Sequence, residues 1–169
     1  MKRFLTTLTM MTSTMTMAQN GIATTEHKTF SRETSVSIDV SADPAIIWNL
    51  LVNASDYPRW NATIISIDGR IAEGEKIRLK STLAPKRVFK LKVKSLVNGK
   101  EMVWGDGQGT RTYKLTHNAD GTTTFAMSEK IGGFMFPLYA KHIPSFDKSF
   151  EQFAADLKKE AETIHSIKK

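Results

Sequence analysis

By strict alternation, Arg111 and Glu129 fall on the apolar faces of two neighbouring strand-like runs, Arg111-Tyr113-Leu115 and Phe125-Met127-Glu129-Ile131. A charge on such a face is costly unless it is paired. Two arrangements satisfy that requirement. The two side chains can form a mutual ion pair near the edge of the sheet, or the planar fork of Arg111 can anchor a carboxylate or phenolate while Glu129 orients it. Around them lie residues that offer apolar area: Trp60, Phe89, Leu91, Trp104, Tyr113, Phe125, Met127, Phe146 and Phe150. Each can be read as core filling, and together they could line an apolar space holding few polar groups.

Acid–base and nucleophilic chemistry have little footing. The four histidines are scattered at His27, His117, His142 and His165. Of these, His142 alone sits where it could reach a cavity mouth, near Tyr139. No Ser-His-Asp spacing, HExxH, P-loop or dinucleotide fingerprint occurs, so no catalytic residue is assigned, and no cofactor or metal site is implied. The absence of cysteine excludes disulfides, thiol catalysis and thiolate metal ligation.

A second feature is a basic stripe. Lys76, Arg78 and Lys80 on one run and Lys90, Lys92 and Lys94 on its expected partner share the outward face, where like charges across a strand pair repel. Such a face protects a sheet from edge pairing or offers a docking surface for anionic lipid. Nucleic acid is not expected, because no exposed aromatics interleave with the cations. The formal charge of +7 suits an anionic partner without naming one.

These residues need elements to position them. Val36, Ile38 and Val40 alternate with Ser35, Ser37 and Asp39, which predicts a first strand from Glu33 to Val40. Asp43-Pro44 opens a short helix carrying Ile46, Ile47, Trp48, Leu50 and Leu51, and Asp56 starts a second helical turn. Six more strands follow from Ala62 to Ile131, joined by short turns such as Asn98-Gly99 and Asp120-Gly121. Neighbours should therefore pair as an antiparallel meander. From Gly133 onward, Ile143, Phe146, Phe150, Phe153, Leu157 and Ile164 recur at three- and four-residue steps. This spacing predicts one amphipathic helix of about thirty residues, kinked or restarted at Pro144. The architecture is α+β, because the apolar face of an antiparallel sheet needs a cover and this helix is long enough to supply it.

The N-terminus reads differently. Lys2 and Arg3 precede an uncharged run rich in Thr and Met that ends at Ala18, the pattern of a secretory signal peptide over residues 1–18. Residues 19–32 read as a flexible lead-in and 33–169 as a single domain, placing the mature protein in the periplasm or outside the cell; an uncleaved leader would leave it cytoplasmic.

Strand, Ala42-Asp43-Pro44, a helix with Trp48, then Asp56-Tyr57-Pro58-Arg59-Trp60-Asn61 resembles the opening of the START-like, or SRPBCC, helix-grip superfamily, nearest its polyketide cyclase/dehydrase and lipid-transport type. Gly109 to Leu115, the Asp120-Gly121-Thr122 turn, and Glu129 before Ile131-Gly132 sit where that group carries similar patterns. The resemblance covers nearly everything from Arg32 onward. It implies a curved seven-stranded antiparallel sheet wrapped round the terminal helix, with an elongated apolar cavity between them. Inward positions where relatives often carry His hold Arg111 and Met127 here, which speaks against a general base at those places. The expected function is binding or carriage of a small hydrophobic ligand, lipid or aromatic. The alternatives are a cyclase or dehydratase acting on a polyketide-like substrate, and an interaction domain with a solid interior.

Overall fold

The computed structural model describes residues 21–168; the expected leader lies outside them. Its strands are β1 (Thr24–Lys28), β2 (Ser31–Val40), β3 (Ile64–Asp68), β4 (Lys76–Ser81), β5 (Phe89–Val97), β6 (Glu101–Gly105), β7 (Gly109–His117) and β8 (Thr123–Gly132). They form one antiparallel sheet in the order β1-β2-β8-β7-β6-β5-β4-β3. From β3 to β8 the chain is the expected meander, and β2 closes on β8, with Val36 opposite Met127 and Ile38 opposite Phe125.

The sheet has eight strands rather than seven because part of the expected flexible lead-in is β1. Its register puts Thr25 opposite Thr34. No apolar face marks this strand. It is held by backbone pairing and by the helix below: Thr25 Oγ1 donates to Asp147 at 2.5 Å, and the Ala23 N–H donates to Glu151 Oε1 at 3.3 Å.

Helices α1 (Pro44–Val52) and α2 (Tyr57–Trp60) follow β2. The Asp43 side chain accepts from the Ala45 N–H at 2.7 Å, which caps an orphan donor of α1, and Pro44 occupies the first helical position. After β8 the helical region is broken rather than continuous. A turn, α3 (Phe136–Tyr139), and a 3₁₀ turn over Ala140–His142 precede extended Ile143, and α4 (Asp147–Ile167) begins only three residues after Pro144. Pro144 lacks the N–H that a helix would use, and its ring pushes the preceding residue out of the helical region. The closing helix therefore has 21 residues.

The core lies where α4 crosses the concave face. Phe150, Phe153, Ala154, Leu157 and Ala161 form its buried stripe. Phe153 sits among four rings, with centroids 6.2 Å from Tyr57, 5.6 Å from Trp60, 5.8 Å from Tyr113 and 6.1 Å from Phe125. The buried Asn61 carboxamide takes the Thr63 N–H at 3.0 Å and the Thr63 hydroxyl at 2.6 Å, which holds the α2–β3 junction against this cluster.

Phe153→Ala should cost about 3–5 kcal/mol in urea denaturation, because it opens a hole that four rigid rings cannot close. A loss below about 1 kcal/mol would show that the hub is elsewhere.

Candidate functional site

Consecutive antiparallel strands place the end of β4, the start of β5, the end of β6, the start of β7 and the end of β8 along one edge of the concave face: Leu79 pairs with Phe89, Lys92 with Gly105, Gly105 with Thr110, and Gly109 with Ile131. Helix α4 does not reach that edge. The connection from Tyr139 to Phe146 roofs it instead, leaving a partly open pocket of about 620 Å³. Close strand approach shapes one wall: a Cβ added to Gly105 would lie 2.2 Å from the Gly109 carbonyl oxygen, so only glycine fits there.

The residues singled out in the sequence divide into two groups. Phe89, Leu91, Trp104, Arg111, Glu129 and Phe146 line the pocket. Trp60, Tyr113, Phe125, Met127 and Phe150 do not; all five are buried in the packed core. Alternation puts both groups of strand residues on the concave face, but position along the strand decides their surroundings. Arg111 and Glu129 lie towards the open edge, whereas Tyr113, Met127 and Phe125, deeper in, meet α4. Trp60 belongs to α2 and packs on Tyr57, with centroids 4.9 Å apart. His142 and Tyr139, expected near the mouth, both border the pocket.

Sequence reasoning missed Leu79, Ser81, Leu83, Ala84, Arg87, Ile131, Ile143, Pro144 and the Gly105–Gly109 loop as lining residues. Leu79 and Leu83 carried a usable signal, since they alternate in step with Phe89 and Leu91 on the partner strand. In the roof, Tyr139, His142 and Phe146 are singled out by the sequence, whereas Ile143 and Pro144 carry no such signal, because a helical period spans them.

Arg111 and Glu129 are directly opposite in the β7–β8 register and form the ion pair. Arg111 Nε donates to Glu129 Oε2 at 2.5 Å, and the same oxygen takes a second guanidinium nitrogen. Each side chain is only 17% exposed. Burial alone would lower the Arg111 pKa, but the Glu129 carboxylate and the nearby Tyr113 outweigh it and hold the guanidinium above its usual value. Burial pushes the Tyr113 hydroxyl up to about 12 against the opposing pull of Arg111. The two interact electrostatically, and the Tyr113 oxygen makes no hydrogen bond of good geometry.

A second arginine, absent from the sequence-level site, supports the roof. Buried Arg32 donates to the Ile143 carbonyl at 3.3 Å and the Pro144 carbonyl at 2.7 Å. Its guanidinium lies 4.8 Å from the centre of the Phe146 ring, Phe146 stacks on Phe150 at 6.0 Å and 7°, and Arg111 lies 5.0 Å from the centre of the Phe150 ring. Two cation–π contacts and one ring stack thus tie roof, helix and sheet together. Burial lowers the Arg32 pKa, opposed by the carboxylates of Asp147 and Glu129. The Thr25 hydroxyl, then Ser145 and the more distant Arg32, keep Asp147 below the ordinary carboxylate range.

Among solved structures, a conserved protein of unknown function from Enterococcus faecalis superposes with a TM-score of 0.61 at 17% identity, over 84% of this chain and 78% of that one. A START superfamily protein from Mycobacterium smegmatis matches with a TM-score of 0.58 at 15% identity, over 78% of this chain and 98% of that one. The chain has the START-like helix-grip fold. DynU16, from the dynemicin biosynthetic locus, shares the fold with a TM-score of 0.60 at 16% identity, over 79% of this chain but 48% of that longer one. No protein-family model matches the sequence, and no curated protein matches it. At these identities the likeness shows fold alone, so the site must be read from its own residues.

Removing either partner of the half-hidden pair strands the other. Arg111→Met and Glu129→Leu should each cost about 2–4 kcal/mol, and the double variant less than their sum by at least about 1 kcal/mol, in a denaturation double-mutant cycle. Additive losses would mean that the pair is not coupled.

Proposed function

We propose that this START-like chain binds and carries a small, mainly apolar molecule with one neutral polar end, held in the pocket beneath the Tyr139–Phe146 roof. The observation that carries this reading is the occupied state of Arg111. Its guanidinium is already neutralised by Glu129, and the other charged side chains of the lining, Arg87 and Asp106, are one of each sign, so the pocket lining holds balanced formal charge. A ligand acid would have to compete with Glu129 for Arg111, whereas a hydroxyl, amide or carbonyl would not. Glu129 Oε1 takes no hydrogen bond among the described residues and can accept from a ligand hydroxyl, while Arg111 retains donor capacity. Apolar walls from Leu79, Phe89, Leu91, Trp104 and Ile131 would supply the affinity, since burial of apolar area is non-directional and large. The volume lies within the roughly 300–1,000 Å³ of small-molecule sites. The START superfamily neighbour supports a ligand-holding fold.

A second reading, a cyclase or dehydratase, draws on the neighbour from a biosynthetic locus and on His142 and Tyr139 beside the pocket. A shaped cavity can direct a reactive chain with few catalytic groups. The two readings part on whether bound material is recovered unchanged. The carrier reading also has residues 1–18 removed on export; N-terminal sequencing of the exported protein should begin at Gln19, and a retained Met1 would contradict that.

Displacement of the neutral dye Nile red tests the polar end. A long-chain alcohol should displace it at least about tenfold more tightly than the fatty acid of equal length, a difference of about 1.4 kcal/mol. Leu91→Trp, which fills the pocket, should abolish both. Tighter binding of the acid would overturn the neutral-end assignment.

A further inference from the structure

Ten large apolar side chains are exposed among the described residues, and six of them, Phe30, Leu83, Val88, Phe134, Met135 and Leu138, lie at the pocket end of the sheet. The sheet register explains why. The β1–β2 turn, the β4–β5 connection, the β6–β7 loop and the β8–α3 connection all emerge at that end, because Ser31 pairs with Gly132, Gly109 with Ile131, and Lys92 with Gly105. Phe134 is 86% exposed and Leu138 68%, far more than a stable fold requires. Phe134 stacks on Phe30 at 6.2 Å, and the Gly133 N–H donates to the Phe30 carbonyl, so the two aromatic tips are fixed together. Leu83 lines the pocket, and Leu138 adjoins Tyr139 in the chain, which also lines it.

The charge around this rim is one-sided. Its connections and their flanks carry Lys86, Arg87, Lys130 and Lys141 besides Lys28, which Glu26 meets at 3.8 Å, whereas the acidic residue of the β6–β7 loop, Asp106, is engaged by the N–H groups of Gln108 and Gly109 at 2.7 and 2.8 Å. Apolar tips ringed by cations match an interface where acyl chains lie just beneath anionic headgroups.

We infer that the rim built by Phe30, Leu83, Phe134, Met135 and Leu138 is the face on which this protein docks to an anionic lipid bilayer. The basic stripe of Lys76, Arg78, Lys80, Lys90, Lys92 and Lys94 is the other cationic surface, and it lies on the back of the strands whose Ile77, Leu79, Phe89 and Leu91 face inward. Docking by the stripe would turn the pocket mouth away from the lipid. Its role is attraction at a distance, while the rim makes contact. This assignment does not depend on what the pocket holds, and vesicle binding without any added ligand tests it separately from the carrier reading.

The three native tryptophans are buried, so a new one reports cleanly. In Phe134→Trp, vesicles of phosphatidylglycerol and phosphatidylcholine should shift the emission to the blue, and brominated acyl chains should quench it. Val97→Trp, at the opposite end of the sheet, should show neither effect. In flotation, Phe134→Ser/Leu138→Ser should lose at least about tenfold in affinity, and Lys90→Glu/Lys92→Glu should lower affinity at low salt while leaving the Phe134→Trp blue shift of the bound fraction intact. Both altered rim residues are exposed, and an unchanged thermal melt checks the fold. No vesicle binding by the wild type, full binding by the rim variant, or a solution dimer dissolved by the rim substitutions would overturn the inference; the last would make the rim a contact between copies.

Discussion

Pro144 controls how much of the sheet the closing helix can cover. Because it has no N–H to donate and forces Ile143 into an extended conformation, α4 starts at Asp147 and grips only part of the concave face. Where α4 lies, the interior is filled by Phe153, Phe125, Tyr113 and Leu157. Where it does not, the edge is roofed by a short irregular segment that brings only Tyr139, His142, Ile143, Pro144 and Phe146 over the strands. Packed core and open pocket are thus two halves of one face, divided by a proline.

A roof without regular structure needs other means of holding its place. Arg32 supplies them by donating to the two carbonyls that flank the break and by lying over Phe146. Arg111 plays the corresponding part from the sheet, pairing with Glu129 and lying over Phe150. Arg111 is satisfied by an acid and Arg32 by two carbonyls, and each lays its flat face on a ring, which makes two otherwise costly burials tolerable. With Glu129 on Arg111, and with Arg87 and Asp106 of opposite sign, the pocket lining carries balanced formal charge, and the ligand preference proposed above follows from that balance.

The meander, α1, the α2 turn and the apolar stripe of α4 were legible because each buries a periodic face: period two for Phe89, Leu91 and Val93, and three to four for Phe150, Phe153 and Leu157. Strand β1 was not, since Thr24 to Lys28 buries no apolar face and is held by backbone pairing and two contacts to α4. Alternation put Arg111 and Glu129 on one face and left two arrangements open, of which the structure has the mutual ion pair. Alternation could not separate pocket from core, because it assigns a face and not a depth: Arg111 and Tyr113 share a face, yet one lines a space and the other meets Phe153. Arg32 escaped notice because its partners are carbonyls of a segment expected to be helical.

Methyl-resolved NMR during titration with a long-chain alcohol addresses the central claim most directly, that the region under the roof takes up an apolar molecule while the region under α4 is solid. The account predicts saturable shifts at Leu79, Leu91, Ile131 and Ile143, and unmoved signals at Leu51, Leu157 and Val36. Shifts centred on Leu157 and Leu51, or none at the pocket methyls, would contradict it.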